Sequence, residues 1–176
     1  MPLKPSLLPP IPPPTGLRGW LLVTGSFTEA LRRHCLAEIR AQILFQGPVR
    51  PRPDEARLLA IGPGEQVLLR ETLLHCTACR SPWIHARTLI PLRHLRGILK
   101  PLARWGSRPI GDLLFRRPCI ARRKHLEILR LAAPDTPDST RAARRWARRS
   151  IYQVCNQRLL VQEVMLPALP PYQRSR

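Results

Sequence analysis

The sequence has few aromatic and acidic residues, and it lacks the long apolar runs of membrane proteins. Aromatic residues make up 5% of the 176 positions, and 11 Asp and Glu stand against 30 Lys and Arg. No apolar run approaches the ~18 residues that span a bilayer, and the proline-broken N-terminus does not match a secretory signal. The sequence also lacks βαβ repetition and a glycine-rich phosphate loop, which disfavours a nucleotide cofactor.

The charge balance is strongly positive, with a formal net charge of +19. Such an excess can indicate a nucleic-acid-binding protein. The scarcity of aromatic residues argues against that class, because no stacking motif is present, and zinc-finger spacing is also absent. A positive field attracts a small dianionic substrate equally well. We therefore expect a small-molecule partner and no nucleic acid.

The five cysteines are an odd number without the regular spacing of a disulfide framework. This pattern is consistent with a reducing compartment, and we expect a cytoplasmic location. Cys76 and Cys79 form a C-x-x-C pair in a predicted hairpin loop. A zinc site would need further ligands at suitable spacing, and a redox motif should open a helix after a strand. Since neither context is present, the pair predicts no metal site.

The length fits one domain with a proper core. Seven of the 21 prolines lie in the first 16 residues, which predicts a polyproline-type arm over residues 1–17. The main domain is expected to cover residues 18–172, followed by a basic tail at 173–176. We expect a monomer.

Hydrophobic periodicity predicts strands joined by hairpins. Alternation with a period of two occurs over residues 39–46, 67–75, 83–90, 125–129, 150–155 and 158–166. The S-x-x-E capping box at Ser26 and Glu29 predicts a helix start, and further helices are predicted at 91–105 and 110–115. Helices grouped beside hairpins are typical of an α+β domain with a single antiparallel β-sheet.

Two other segments carry no helix or strand pattern. Residues 51–64 are rich in proline and charge and are predicted to form a loop. Four arginines near the last hairpin are most simply interpreted as a solvated basic edge or turn: Arg144, Arg145, Arg148 and Arg149.

Two charged residues lie on apolar strand faces. In the segment 67–74, Arg70 shares its face with two leucines and a threonine, and in 159–166 Glu163 shares its face with Leu159, Val161 and Met165. A desolvated, unpaired guanidinium costs several kcal/mol, so Arg70 should have an anionic partner. Either the two charges pair with each other, or they flank a polar ligand.

The order of several short motifs resembles the chorismate pyruvate-lyase family over roughly residues 18–172. The strongest elements together are x-R-E at 69–71, P-W-x-x-A-R-T at 82–88 and E-x-x-L-P at 163–167. Supporting elements are G-W-L-L at 19–22, G-S-F-T at 25–28 and P-I-G-D-L-L-F at 109–115. The resemblance implies a chorismate-lyase-like fold, and a lyase that converts chorismate to 4-hydroxybenzoate and pyruvate for ubiquinone biosynthesis without metal or organic cofactor.

The resemblance also assigns roles to individual residues. Arg70 would grip the ring carboxylate and Glu163 would meet the ring hydroxyl. Backbone N–H groups of Phe27 and Ile110 would donate to the carboxylate. This sequence departs from the family in those two side chains, but main-chain donors survive such a change. Arg87 is a weaker candidate near the second carboxylate, and a structural ion pair with Glu71 is an equal alternative.

A ligand-sensing domain is the alternative function, and it is suggested by a second resemblance of the fold. The effector-binding domains of certain bacterial transcription regulators are similar to it, and they sense a ligand without transforming it. The roughly 18 residues before the lyase-like part are too few for a helix-turn-helix. A sensor of this kind would bind a small carboxylate and release no pyruvate.

Overall fold

A computed structural model describes residues 11–115, 121–131 and 144–173. Its centre is one six-stranded sheet in the order β1-β2-β3-β6-β5-β4, and all neighbouring strands are antiparallel. The strands are β1 (Ile39–Val49), β2 (Val67–Cys76), β3 (Ile84–Pro91), β4 (Arg122–Leu131), β5 (Arg145–Val154) and β6 (Gln157–Met165). The predicted α+β class with a single antiparallel sheet is confirmed.

The helices are short and lie in the connections between strands. They are α1 (Thr15–Leu22), α2 (Phe27–His34), α3 (Pro53–Leu59), α4 (Gly111–Leu114) and the 3-10 segments Leu92–His94 and Gly97–Arg104. The predicted start of α2 is confirmed, because the Ser26 side chain accepts a hydrogen bond from the Glu29 N–H at 3.2 Å. In the described part of the chain no helix exceeds eight residues, which is too short to cross a bilayer.

The two faces of the sheet are covered by different elements. The front face, defined here as the face that carries Arg70 and Glu163, is covered by α1 and α2 over one hydrophobic cluster, and by the segment Gly97–Arg104 with α4 over a second. On the back face, Leu59 of α3 packs in a third cluster with Leu69, Leu89 and Leu160. The front face therefore has two separate hydrophobic covers.

Three predicted elements were wrong in detail. Residues 51–64 contain α3 rather than only loop, because Pro53 opens the helix and the Glu55 side chain accepts from the Arg52 N–H at 2.9 Å. The predicted helix at 91–105 consists of two 3-10 segments, with Pro101 inside the second. Strand β1 continues through Pro48, which an edge strand tolerates.

The arginine-rich segment before the last hairpin was also wrongly interpreted. Strand β5 begins at Arg145, so three of the four arginines lie on a strand, whereas Arg144 precedes it and is exposed as predicted. Arg148 is fully buried and Arg149 is 5% exposed. Their burial has a physical basis in ion pairs, since Arg148 contacts Glu163 and Arg149 contacts Asp54 and Glu127.

A disulfide joins Cys35, at the end of α2, to Cys76, at the end of β2, with the Cα atoms 5.6 Å apart. The sequence spacing did not predict this bond, because the two cysteines are 41 positions apart and meet only when α2 packs on the sheet. Cys79 is free and exposed. The C-x-x-C pair therefore does not offer two thiols.

Candidate functional site

A band of buried polar residues crosses the front face between the two hydrophobic covers. Cross-strand partners share a face of a sheet, and the register defines two adjacent rows. One row is Arg70, Thr88, Val161 and Ser150; the other is Thr72, Ala86, Glu163 and Arg148. All eight residues are buried, and we call this set the polar band. Ala86 and Val161, in the middle of the polar band, carry small apolar side chains.

Arg70 is 3% exposed and contacts neutral acceptors. Its guanidinium donates to Gln46 Oε1 at 2.7 Å, to the Gly106 carbonyl at 2.7 Å and to the Arg108 carbonyl at 3.2 Å. No carboxylate among the described residues lies within ion-pair distance of it. Burial lowers the pKa of Arg70. A desolvated cation of this kind is suited to an anionic ligand.

Glu163 has a different partner from the one the sequence suggested. Its carboxylate accepts from Nε of Arg148, whose side chain is fully buried. Nη1 of Arg148 donates to the Val23 carbonyl at 2.9 Å, and the guanidinium lies 4.3 Å from the centre of the Phe27 ring. These contacts fix Arg148 from three sides, and Arg148 in turn fixes the carboxylate.

Arg70 and Glu163 are therefore held apart. Each is bonded to other groups, and their strands β2 and β6 are separated by β3, a lateral distance of about 10 Å. Of the two arrangements left open by the sequence, direct pairing is not observed. The second arrangement, with a polar ligand between the charges, is compatible with this geometry.

The starts of α2 and α4 meet above the sheet near this band. Phe27 is the first residue of α2, and Ile110 immediately precedes α4; N–H groups at such positions lack partners within the helix. A Cβ on Gly111 would lie 2.4 Å from Thr28 Oγ1, so glycine permits the close contact. An ion pair of 2.7 Å between Arg32 and Asp112 also joins the two helices.

A cleft of about 570 Å³ borders the same helix starts. Its lining residues are Ser26, Glu29, Arg32, Arg108, Gly111, Asp112 and Phe115. The backbone carbonyl of Arg108 accepts a hydrogen bond from Arg70, so this bond connects the wall of the cleft to the polar band. The arrangement places an open volume beside the first turn of α2.

The structure does not bring Arg87 to the front face. Arg87 is the cross-strand partner of Glu71, on the back of the sheet. Its guanidinium lies 3.4 Å from Glu71 and 3.3 Å from Glu55, which is 1% exposed. The ion pair with Glu71, one of the two roles considered from the sequence, is observed.

Sequence reasoning missed Arg148 and Gln46. A signal for Arg148 exists in the sequence, because one face of β5 carries alternating residues: Trp146, Arg148, Ser150 and Tyr152. The predicted strand begins at residue 150, five residues after the observed start at Arg145, and so leaves Arg148 out. Gln46 bonds both Arg70 and the carbonyls of Leu102 and Ala103. No sequence pattern marks Gln46 as a partner of a buried arginine, because a glutamine on an edge strand is ordinarily solvated.

Comparisons with known proteins give a family and a fold. The family model described as chorismate lyase matches residues 10–176. A "probable chorismate pyruvate-lyase" of Nitrosomonas eutropha is 34% identical, with 91% of this chain and 92% of the relative covered. A protein of the same description from Aromatoleum aromaticum is 38% identical, with 89% and 87% covered.

Solved structures with the same fold are more distant in sequence. PhnF from Mycobacterium smegmatis superposes with a TM-score of 0.65 at 14% identity, covering 88% of this chain and 69% of that one. A GntR-family transcriptional regulator from Bacillus cereus gives 0.54 at 13% identity, with 80% and 99% covered. At these identities the likeness concerns the fold alone.

Proposed function

The chain belongs to the chorismate lyase family, and from that premise we propose that it converts chorismate to 4-hydroxybenzoate and pyruvate. The reaction would be the first committed step of ubiquinone biosynthesis. The observation that carries the proposal is Arg70, a buried cation bonded to neutral acceptors on a face that also holds a buried carboxylate.

In the proposed complex Arg70 binds the ring carboxylate of chorismate. Three of its five N–H groups donate in the bonds described above, which leaves two for the ligand. Bonds between a guanidinium and a carboxylate are charge-assisted and strong. The backbone N–H groups of Phe27 and Ile110 complete this end, supported by the contact between the starts of α2 and α4.

Glu163 would hold the other end of the ring. Its carboxylate accepts the hydrogen bond of the hydroxyl on C4, opposite the ring carboxylate. In this proposal the ring lies over the small side chains of Ala86 and Val161, which stand between the two poles in the register of the sheet. The lateral distance of about 10 Å between β2 and β6 is large enough for a six-membered ring and its two substituents when the side chains of Arg70 and Glu163 reach inward.

The chemistry is an elimination that balances within the substrate. The C3–O bond breaks, its electron pair stays on the oxygen and becomes the carbonyl of pyruvate, and the proton leaves C4. A proton added to the enolpyruvyl methylene gives the methyl group of pyruvate. Aromatisation drives the reaction, so the protein mainly orients the ring and stabilises charge on the leaving group. We propose that no cofactor takes part.

A coupled assay for pyruvate tests the proposal directly. The purified chain is mixed with chorismate, and pyruvate and 4-hydroxybenzoate are measured over time. If the proposal is correct, the two products form in equal amounts. A ligand-sensing domain would bind chorismate or 4-hydroxybenzoate and release no pyruvate. Binding without pyruvate release would therefore overturn the enzyme proposal and favour the sensor.

The compartment and the assembly state stay predictions. We propose a cytoplasmic monomer, as the sequence suggested. Because the Cys35–Cys76 disulfide is unusual for a reducing compartment, the thiols should be counted in protein taken directly from cells. Trapped thiols at both positions would support the cytoplasmic proposal, and a persistent bond would contradict it.

A further inference from the structure

Chorismate has two carboxylates, and the site proposed above accounts for one of them. The second belongs to the enolpyruvyl group, which is attached at C3, next to the carbon that carries the hydroxyl. A substrate held at that hydroxyl by Glu163 brings its second carboxylate into the same neighbourhood. Two carboxylates repel each other at such a distance, so cationic donors are needed there.

Two guanidinium groups converge beside Glu163. Arg148 binds Glu163 through Nε and donates through Nη1 to the Val23 carbonyl at 2.9 Å. Nη1 of Arg123 donates to the same carbonyl, also at 2.9 Å. Tyr152 is the cross-strand partner of Arg123 and lies on the same face of β5 as Arg148. Burial and the Glu163 charge raise the pKa of Tyr152, and the charges of Arg148 and Arg123 oppose the shift.

The charges of this group do not cancel. Arg148 and Arg123 contribute two positive charges, and Glu163 contributes one negative charge. Like charges that share one carbonyl acceptor repel each other, and the repulsion is strong where water is excluded. The group therefore has an excess of one positive charge in the place where the second anionic group of the substrate is required.

One donor of this group is also unused. Nη2 of Arg148 is buried and has no hydrogen-bond partner among the described residues. Leaving a charged donor desolvated and unpaired is costly, and a ligand carboxylate would remove that cost. Arg123 is half-buried, and its Nη1 makes one bond, to the Val23 carbonyl.

We propose, on the premise of the proposed function, that Arg148 and Arg123 bind the enolpyruvyl carboxylate of chorismate. Arg70 holds one carboxylate of the dianion and this pair holds the other, with Glu163 between them at the ring hydroxyl. The arrangement selects a dianionic substrate over the monoanionic product. Departure of the enolpyruvyl group removes the ligand of Arg148 and Arg123 and leaves 4-hydroxybenzoate bound only at Arg70 and Glu163.

The test compares two ligands that differ in the second carboxylate. Chorismate and 4-hydroxybenzoate are titrated against the wild-type chain, Arg123→Gln, Arg148→Lys and the control Arg122→Gln. Arg122 is the exposed neighbour of Arg123 on β4, and its replacement removes the same charge. Chorismate affinity is measured as KM if the chain turns it over and as a dissociation constant from calorimetry if it does not.

We expect Arg123→Gln and Arg148→Lys to weaken chorismate binding by about tenfold or more, the usual effect of losing a hydrogen bond to a charged group. In Arg123→Gln the dissociation constant of 4-hydroxybenzoate should change less than about twofold. Arg148→Lys should weaken 4-hydroxybenzoate as well, but less than chorismate, because Arg148 also holds Glu163 in place. Arg122→Gln should alter neither ligand. Equal weakening of both ligands would show a purely structural role, and no weakening of chorismate would also overturn the proposal. A wild-type chain that binds chorismate without releasing pyruvate refutes the proposed function separately, because the binding comparison still applies.

Discussion

Arg70 donates hydrogen bonds to neutral groups only, and this determines how much binding energy an anionic ligand can obtain from it. The guanidinium is held by Gln46 and two backbone carbonyls, so its position is fixed before any anion arrives. A carboxylate would add charge-assisted bonds without the cost of ordering the arginine. Gln46 is itself held by the carbonyls of Leu102 and Ala103. Arg70 is therefore preorganised for the ring carboxylate of the proposed substrate.

Replacement of Arg70 should weaken binding of chorismate and 4-hydroxybenzoate together, because both carry the ring carboxylate. Arg70→Lys keeps the charge and loses the planar set of guanidinium donors, so we expect an increase in KM and in the product dissociation constant of roughly tenfold to 100-fold. Arg87→Lys on the neighbouring strand is the matched comparison. It should lower thermal stability through its pairs with Glu55 and Glu71 and leave both affinities near wild type. An equal loss of affinity in Arg87→Lys would indicate that Arg87 contacts the substrate after all.

Glu163→Gln separates orientation of the ring from proton transfer. The variant leaves Arg148 buried without its anion, so we expect a loss of about 2 kcal/mol or more in the free energy of unfolding. Since Gln still accepts the hydroxyl hydrogen bond, the single-turnover rate at saturating chorismate should stay within about tenfold of wild type. A general base contributes roughly 10²–10⁴-fold. A rate loss in that range would show that Glu163 moves the C4 proton.

Among single residues, the sequence indicated Arg70 and Glu163 but not Gln46 and Arg148, the side chains that hold them. Arg70 and Glu163 could be predicted to be buried because each interrupts an alternating apolar face, and both are below 7% exposed. Arg148 was missed because a run of basic residues is ordinarily solvated. Its burial depends on Glu163 of the adjacent strand, which a local pattern does not reveal. Their roles at a substrate stay predictions.

For whole elements, a period of two identified the strands, whereas the short helices depended on contacts distant in sequence. Segment α3 has seven residues within a proline-rich stretch, too few for a helical period to emerge. Its position is set by the back of the sheet, where Arg149 binds Asp54 at 2.5 Å and Arg87 lies 3.3 Å from Glu55. A sequence pattern does not contain those pairings, because they join residues that are far apart along the chain.

The contact between α2 and α4 gives a prediction at this scale. In Gly111→Ala the new Cβ would meet Thr28 Oγ1 at 2.4 Å and Thr28 Cβ at 2.9 Å, so the two helix starts must separate. The backbone donors of Phe27 and Ile110 would then no longer converge, and affinity for both chorismate and 4-hydroxybenzoate should fall by about tenfold or more. Gly62→Ala is the control, because its Cβ would meet one side-chain atom at 3.5 Å. Unchanged affinity in Gly111→Ala would argue against the two backbone donors.

A buried histidine on the back face of the sheet, His85, should make the free energy of unfolding depend on pH. Burial lowers the pKa of His85 below its ordinary value of 6.5; the Glu71 charge opposes the shift and the Arg87 charge adds to it. Below pH 6.5 the unfolded chain takes up a proton that folded His85 does not, so the free energy of unfolding should fall as the pH is lowered through that range. Urea titrations at several pH values measure this slope. His85→Gln should reduce it, and an unchanged slope would contradict the assignment.

A second group on this face acts at lower pH. Burial alone would raise the pKa of Asp54, but the hydrogen bond and charge of Arg149, with the Arg52 charge, lower it below 3.8. Stability from this carboxylate is present above that value and is lost as the pH falls further. The two windows are separate, so the His85 contribution can be measured before Asp54 is protonated.

In the molecule as a whole, the charged residues on the two faces of the sheet have different surroundings. On the front face Arg70 has no carboxylate partner among the described residues, and Glu163 pairs with Arg148. The back face pairs its charges along one row: Glu71, Arg87, Gln162, Arg149 and Glu127. The same fold occurs in a GntR-family transcriptional regulator at 13% identity. Because such a fold supports different activities, the function has to be argued from the residues of the front face.

The net charge of +19 should act on association of the substrate rather than on its chemistry. A positive field raises the encounter rate of a dianion, and salt screens it: the screening length falls from about 30 Å at 0.01 M to about 8 Å at 0.15 M. We therefore expect kcat/KM for chorismate to fall several-fold between these salt concentrations, with kcat nearly constant. An uncharged osmolyte at the same osmolality controls for solvent effects. If kcat/KM is insensitive to salt, the positive surface does not steer the substrate, and its basic residues require another partner.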